Sequence, residues 1–415
     1  MTDTVILPAF AAYGLEIEYM IVDRDTLDVR PLADQLLCRA AGQPTNDVER
    51  GAMGWSNELA LHLLEIKNCR PDASLENLAR AFNAEIAAID ALLEPMGARL
   101  MPGGMHPWMD PTTETRLWTH ENSQIYRAYD RIFDCRRHGW GNLQSMHLNL
   151  PFANDAQFAR LHAAIRLVLP ILPALAASSP CADGRLTGFM DHRLEVYRAH
   201  QKLLPSSVGE CIPRPSASPA EYRAQILAPM YREVAEYRDG GVLQHEWLNV
   251  RAAIPRFERN AIEIRVLDVQ ECATADVAIA AAVVALVRRL YDEMPDEPDV
   301  DEANHTATLA RIFRDCIRDA ELAVIDDDRY LSQLGLDGGR WRAGEVWTHL
   351  IDPLAATGML APTWEGPLRL IRERGPLARR IVAALGDAPD PMRLRDVYRE
   401  LAQCLHDDRM FPGPG

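Results

Sequence analysis

Apolar and polar positions alternate most sharply near the start of the chain, in Tyr13-Gly14-Leu15-Glu16-Ile17-Glu18-Tyr19. Successive side chains of a strand point to opposite faces, so Leu15, Ile17 and Tyr19 face one way and Glu16 and Glu18 the other. The strand reading runs from Val5 to Val22 with a kink near Pro8, and Asp23 to Pro31 follows as a polar turn. Leu32 to Ala41 suits a short helix. Trp55 to Asn68 is apolar enough for a strand or hairpin arm. It carries Glu58 and Glu65, whose odd separation places them on opposite faces of one regular strand. A bulge or turn must intervene if both serve one site.

Helical periodicity takes over after Pro71. Leu75, Leu78, Ala79, Phe82, Ile86, Ile89, Leu92 and Leu93 form an apolar stripe that Asp72 or Ser74 can cap and that ends near Gly97. Ala98 to Pro102 predicts a strand running into a Gly-Gly loop, and Glu121 to Phe133 a second helix. In the strand Gly141 to Pro151, His147 shares a face with Leu143, Ser145 and Asn149. Ala156 to Ala177 is a long apolar helix bent by Pro170 and Pro173. Pro205 to Pro219 is irregular chain that borders a site or forms a lid. Glu246 to Arg251 reads as short and extended, and Ala261 to Asp268 as a strand with Glu263 and Arg265 on one face. An apolar helix, Ala275 to Tyr291, packs behind it.

Beyond that helix, Met294 to Glu302 is an acidic, proline-containing linker, and His305 to His406 is mostly helical. The helices there include Leu309 to Ala323 and a basic one, Leu368 to Leu385, whose Arg372, Arg374, Arg379 and Arg380 read as a solvated face. Met410 to Gly415 reads as a frayed tail. The pattern divides the chain into residues 1–293, a linker 294–302 and a helical region 303–415, and the class is α+β.

Composition narrows the partners. A chain of 415 residues exceeds one small core. A net charge of −16 argues against a nucleic-acid binder, which needs clustered Lys and Arg. The eight cysteines are scattered without close-paired spacing, against a zinc ribbon or redox motif. No basic region precedes an apolar core at the N-terminus, and the longest apolar run, Val277 to Val287, is too short to span a bilayer. The expectation is a cytoplasmic protein without a membrane partner. There is no Gly-x4-Gly-Lys-Ser/Thr, no Gly-x-Gly-x-x-Gly after a strand, no His-Glu-x-x-His and no Gly-x-Ser-x-Gly. Any use of ATP proceeds without a P-loop.

Candidate chemistry begins with the two glutamates of the first strand. At ~4 Å their repulsion would reach about 4 kcal/mol at an effective dielectric of ~20. Either the face is solvated, or the two glutamates make unrelated surface ion pairs, or hard oxygen ligands here hold a divalent cation. Likewise Glu263 and Arg265 are either an ion pair within a strand or a metal-binding carboxylate beside a phosphate-binding guanidinium.

The ordered set of motifs resembles a known family. Gly14-Leu15-Glu16-Ile17-Glu18, Glu58 with Glu65, Ser179-Pro180 through Thr187-Gly188 to Arg193, Trp247 to Arg251, and Glu263-Ile264-Arg265 with Asp268 are similar to motifs of the bacterial glutamate–cysteine ligase-like carboxylate–amine ligases. These are relatives of the plant-type glutamate–cysteine ligases. The resemblance implies a glutamine-synthetase-like catalytic domain: a curved, mainly antiparallel sheet backed by helices, with the site on its concave face. It implies an ATP-dependent ligase that phosphorylates a carboxylate and lets an amine displace phosphate, with ATP and Mg²⁺ (or Mn²⁺) as cofactors. By matching positions, Glu16, Glu18, Glu58, Glu65, His147 and Glu263 are the implied metal ligands. Arg265, with Glu18, is implied at the nucleotide, and Arg193 and Arg251 at the carboxylate substrate or its acyl phosphate. The implied partners are a small carboxylate, glutamate foremost, and an amine acceptor; a homo-oligomer is left open. Asn249 stands where the family usually has Asp, and Ala252 where Pro often follows the arginine. The same chemistry on another amino acid, amine or peptide is the alternative, ahead of a phosphotransferase, a metal-dependent hydrolase or an ATP-binding pseudoenzyme.

Overall fold

The computed structural model describes residues 6–199, 203–294 and 302–414. Its centre is an eight-stranded antiparallel sheet. The strands are β1 (Gly14–Asp23), β2 (Asp47–Arg50), β3 (Met53–Asn57), β4 (Leu63–Asn68), β5 (Ala98–Met101) and β6 (Ser145–Pro151). A separate two-stranded hairpin, β7 (Cys181–Ala182) and β8 (Arg185–Leu186), precedes the sheet's last two strands, β9 (Ala253–Arg256) and β10 (Ala261–Asp268). The sheet order is β2-β3-β4-β1-β6-β10-β9, and β5 joins β6 along the same edge of β1.

The alternation in β1 decides which side is core. Leu15, Ile17, Tyr19 and Ile21 are fully buried in the main apolar cluster. The helices Leu75–Leu93 and Ala273–Glu293 pack behind them. Ser74 caps the first of these through a hydrogen bond from Asn77 N, satisfying one of the donors a helix start leaves open. On the opposite face Glu16 and Glu18 occupy one half of the strand, and Met20 and Val22 the other. Met20 and Val22 are covered by Leu377, Ile381, Leu394, Tyr398 and Leu401 of the helices Leu377–Leu385 and Pro391–Asp407. The C-terminal helices therefore close one half of this face and leave the carboxylate half open.

Several elements depart from the alternation pattern. The first strand starts at Gly14, not Val5, which lies outside the described residues. Ala11 N bonds back to Pro8 O and Phe10 takes a left-handed φ of 63°, so the chain turns before pairing begins. The segment near Trp247 is a tight 3₁₀ turn, Glu246–Leu248, not extended chain: Glu246 accepts a hydrogen bond from Phe257 N and folds it back. The basic helix breaks at Gly375, where φ is 82°, ahead of Pro376. Arg380 is not solvated. It is 1% exposed and donates to Glu271 and to Phe411 O. Phe411 N also donates to Glu271 at 3.1 Å, so the tail expected to fray is tied down at Phe411. The linker expected at 294–302 lies, apart from its two ends, outside the described residues. Pro205 to Pro219 packs inward, with Ser207, Cys211 and Ile212 buried, and its carbonyls are held by Arg251. No helix among the described residues is long and apolar enough to cross a membrane.

Candidate active site

Antiparallel register places polar side chains in rows across the open half-face. Directly opposed residues of neighbouring strands share a face with Cβ atoms about 5 Å apart. Glu18 opposes Glu65, and Glu16 opposes Lys67 on one side and His147 on the other. Glu263 opposes Asn149. The turn between β3 and β4 resolves the odd spacing of Glu58 and Glu65. Glu58 sits in that turn, and its carboxylate joins Glu18 at the cavity described below.

Most of these acids are held by cations of the chain itself. Arg259 Nη1 lies 2.9 Å from Glu16 Oε1, and His147 Nδ1 3.3 Å from Glu16 Oε2. Burial opposes ionisation of Glu16, but the His147 hydrogen bond and charge, with Arg259 and Arg256, prevail and hold its carboxyl well below the usual range. Burial likewise opposes a charge on His147, and Glu16, Glu263 and Glu18 outweigh it and push its pKa up. Glu65 accepts from Lys67 Nζ at 2.9 Å and Ser56 Oγ at 2.8 Å. Glu18 accepts from Ser145 N and Oγ at 2.7 and 2.9 Å. Arg256 Nη1 donates to Glu263 Oε2 at 2.6 Å. Arg265 Nε is 2.8 Å from Glu263 Oε1, yet neither buried atom finds hydrogen-bond geometry.

Glu58 differs. It has no hydrogen-bond or ion partner for its carboxylate among the described residues, and burial, then repulsion from Glu18 and Glu65, pushes its pKa well above normal. A bound cation would relieve this. Among the described residues no group of three or more His, Cys, Asp or Glu is already gathered around a metal-sized point. The donor types are nonetheless those a hard divalent cation takes, and Glu58, without a partner and on a cavity wall, is where such an ion fits.

Two cavities open on this face. One, about 330 Å³, meets Glu18, Glu58, His147, Arg193 and Arg265, with Tyr126, Tyr129, Trp140 and Trp247 on its far wall. The other, about 580 Å³, borders Glu16, Lys67, Asn149 and Arg259. Arg193, 1% exposed at the start of the helix His192–Ala199, donates through Nε to Asp268, while its Nη2 lacks a partner. Asp268 also accepts from Ser178 N and Ser179 Oγ, at 2.8 and 2.7 Å. A Cβ on Gly104 would come within 2.5 Å of the Asp268 carboxyl carbon, so only glycine fits against this support.

Arg251 lies apart from both cavities. Its guanidinium donates to Ser206 O, Ser207 O and Asn249 Oδ1 at 3.0, 3.1 and 2.9 Å. Asn249 in turn bonds the Tyr222 hydroxyl at 2.7 Å, and its carbonyl accepts from Arg265 at 3.1 Å. The structure thus gathers Glu16, Glu18, Glu58, Glu65, His147, Glu263, Arg265 and Arg193 on one face and leaves Arg251 as a brace. Lys67, Arg256 and Arg259, with Tyr126, Tyr129 and Trp140 of the aromatic wall, border these residues without having stood out in the sequence, whereas Trp247 opens one of its motifs. Lys67 was legible by parity, two residues from Glu65 in the same strand.

A glutamate–cysteine ligase from Francisella tularensis, solved in complex with AMP, superposes with a TM-score of 0.62 at 14% identity, covering 95% of this chain and 88% of that one. A bifunctional glutathione synthetase from Pasteurella multocida gives 0.54 at 15% identity, covering 96% and 52%. The fold is that of these ligases, and the class is the ATP-dependent carboxylate–amine ligases. Within that class the chain belongs to glutamate–cysteine ligase family 2, whose model matches residues 12–343. An uncharacterised protein of Archaeoglobus fulgidus is 35% identical over 291 residues, 70% of this chain and 78% of its own. A Rubrobacter xylanophilus protein provisionally named glutamate–cysteine ligase 2-3 is 26% identical over 297 residues, 70% and 73% of the two chains.

Proposed function

We propose that this chain joins the γ-carboxyl of glutamate to an amine, through an acyl phosphate made at the expense of ATP. The observation that carries the reading is the row of acids and guanidiniums on one half-face, Glu16, Glu18, Glu58, Glu65 and Glu263 with His147, Arg265 and Arg193. Magnesium held by these acids and His147 would neutralise phosphate charge and polarise the γ-phosphoryl group.

The chain's own groups account for the remaining tasks. Arg193 Nη2, buried without a partner, is supplied to receive a carboxylate oxygen, and Asp268 fixes its direction. Arg265 stabilises charge developing on the transferring phosphoryl. Lys67 and Arg259 border the larger cavity, where a polyphosphate chain would pair with them. In the second half-reaction the amine nitrogen forms the C–N bond as the acyl C–O bond breaks. Phosphate leaves with the electron pair, and the amine proton passes to solvent.

The reading is tested with glutamate labelled by ¹⁸O in its side-chain carboxylate. It predicts one labelled oxygen in the released phosphate for each amide formed. Unlabelled phosphate would remove the acyl phosphate from the scheme.

A further inference from the structure

The smaller cavity is divided in character. Glu18, Glu58, His147, Arg193 and Arg265 make one side, and Tyr126, Tyr129, Trp140, Trp247 and Leu143 the other. The rings come from three separate pieces of chain: the helix Ser123–Phe133, the short helix His138–Gly141 and the turn Glu246–Leu248. They meet around Tyr129, whose ring centroid is 5.0 Å from that of Trp140 and 5.6 Å from that of Trp247. Surfaces of this kind are matched by a flat or bulky apolar group, not by a small polar one.

We propose that this aromatic wall receives the acceptor, and that the acceptor is an amine bearing an aromatic or branched aliphatic body. The proposal rests on the ligase reading and specifies its second substrate. Three observations assign the wall to the acceptor. The cavity beside Lys67 and Arg259 is the larger, and its mixture of these two cations with Glu16, Asp47, Glu49 and Glu258 suits phosphates that carry magnesium. The carboxylate donor is drawn to the guanidinium side, where Arg193 Nη2 is unsatisfied. An attacking amine must be uncharged, and apolar surroundings disfavour its ammonium form. Cysteine or ammonia would leave most of the wall uncovered.

The test compares ADP release at fixed ATP, Mg²⁺ and glutamate across 2-phenylethylamine, isobutylamine, methylamine, ammonia and cysteine. The kcat/KM for 2-phenylethylamine should exceed those for methylamine and cysteine at least about ten-fold. Trp247→Ala should bring the values to within about three-fold, while Trp247→Phe, which keeps a ring, should retain the preference. Cysteine or ammonia matching 2-phenylethylamine would overturn the proposal and leave the ligase reading standing. ADP release with none of the amines would overturn the ligase reading itself. Calorimetric titration of 2-phenylethylamine into protein holding glutamate and a non-hydrolysable ATP analogue reads the wall without turnover. Wild type should bind at least about ten-fold more tightly than Trp247→Ala; equal affinity would count against the wall as the acceptor's site.

Discussion

At the scale of single residues, Glu58 separates a cation-binding face from a network of internal ion pairs. Its carboxylate is half-buried on the cavity wall and repelled by Glu18 and Glu65. Glu58→Gln should therefore leave the melting temperature of the metal-free protein unchanged or raised. The further rise on adding Mg²⁺ and nucleotide should shrink by at least about half, as linkage requires when a ligand is lost. A lowered metal-free melting temperature with an undiminished Mg²⁺ response would make Glu58 structural. Arg265→Ala should cut kcat about 10²–10³-fold and shift the KM for ATP far less, the signature of a group that acts on developing charge. A change confined to KM would take Arg265 out of phosphoryl transfer. The glutamates were legible because strand parity fixes their face whatever the partners. Arg256 and Arg259 were not, because their contacts with Glu263 and Glu16 depend on the turn joining β9 to β10.

At the scale of elements, periodicity found the long helices Leu75–Leu93 and Ala273–Glu293 and the strands β1, β4, β5, β6 and β10, while the helices of 219–235 and the connections escaped it. The odd spacing of Glu58 and Glu65 did foretell a turn, and β3 and β4 are joined by one. The turn at Trp247 and the burial of Arg380 were hidden, since each depends on partners far along the chain. Arg380 is bonded to Glu271, only three residues from Asp268, which aims Arg193. Arg380→Ala leaves a buried carboxylate unpaired, a loss of about 3–5 kcal/mol by analogy with other buried pairs. Denaturant unfolding should show a lower midpoint of that size, and Arg380→Lys should recover part of it. An unchanged midpoint would mean that the tail is not anchored through this pair.

At the scale of the whole molecule, composition argued against a nucleic-acid partner but could not show that the C-terminal helices cover half of the acid-bearing face. Sequence distance hides that contact, which joins Met20 and Val22 to Tyr398 and Leu401. Acid sensitivity is also a global property. Burial lowers the pKa of His62 and His106 to about 4 and that of His162 to about 3. Between these values and the ordinary pKa of about 6.5 the unfolded chain binds more protons than the native one. Stability is thus fully present above about pH 6.5 and falls on acidification toward pH 4, with a slope of up to about 1.4 kcal/mol per pH unit per histidine. His162 stacks on Phe158 and its Nε2 has no hydrogen bond, so His162→Leu should flatten the profile without loss at pH 7. A profile as steep as wild type's would assign the acid loss elsewhere.

The central claim is that the acid-lined half-face couples ATP to amide formation. The most direct measurement is the stoichiometry of ADP and amide when Mg²⁺, ATP, glutamate and an amine are supplied together and singly omitted. The account predicts one amide per ADP, with ADP release collapsing when either carboxylate or amine is left out, and Glu16→Gln slowing both products by at least about 100-fold. ADP release that proceeds without the amine and yields no amide would contradict it.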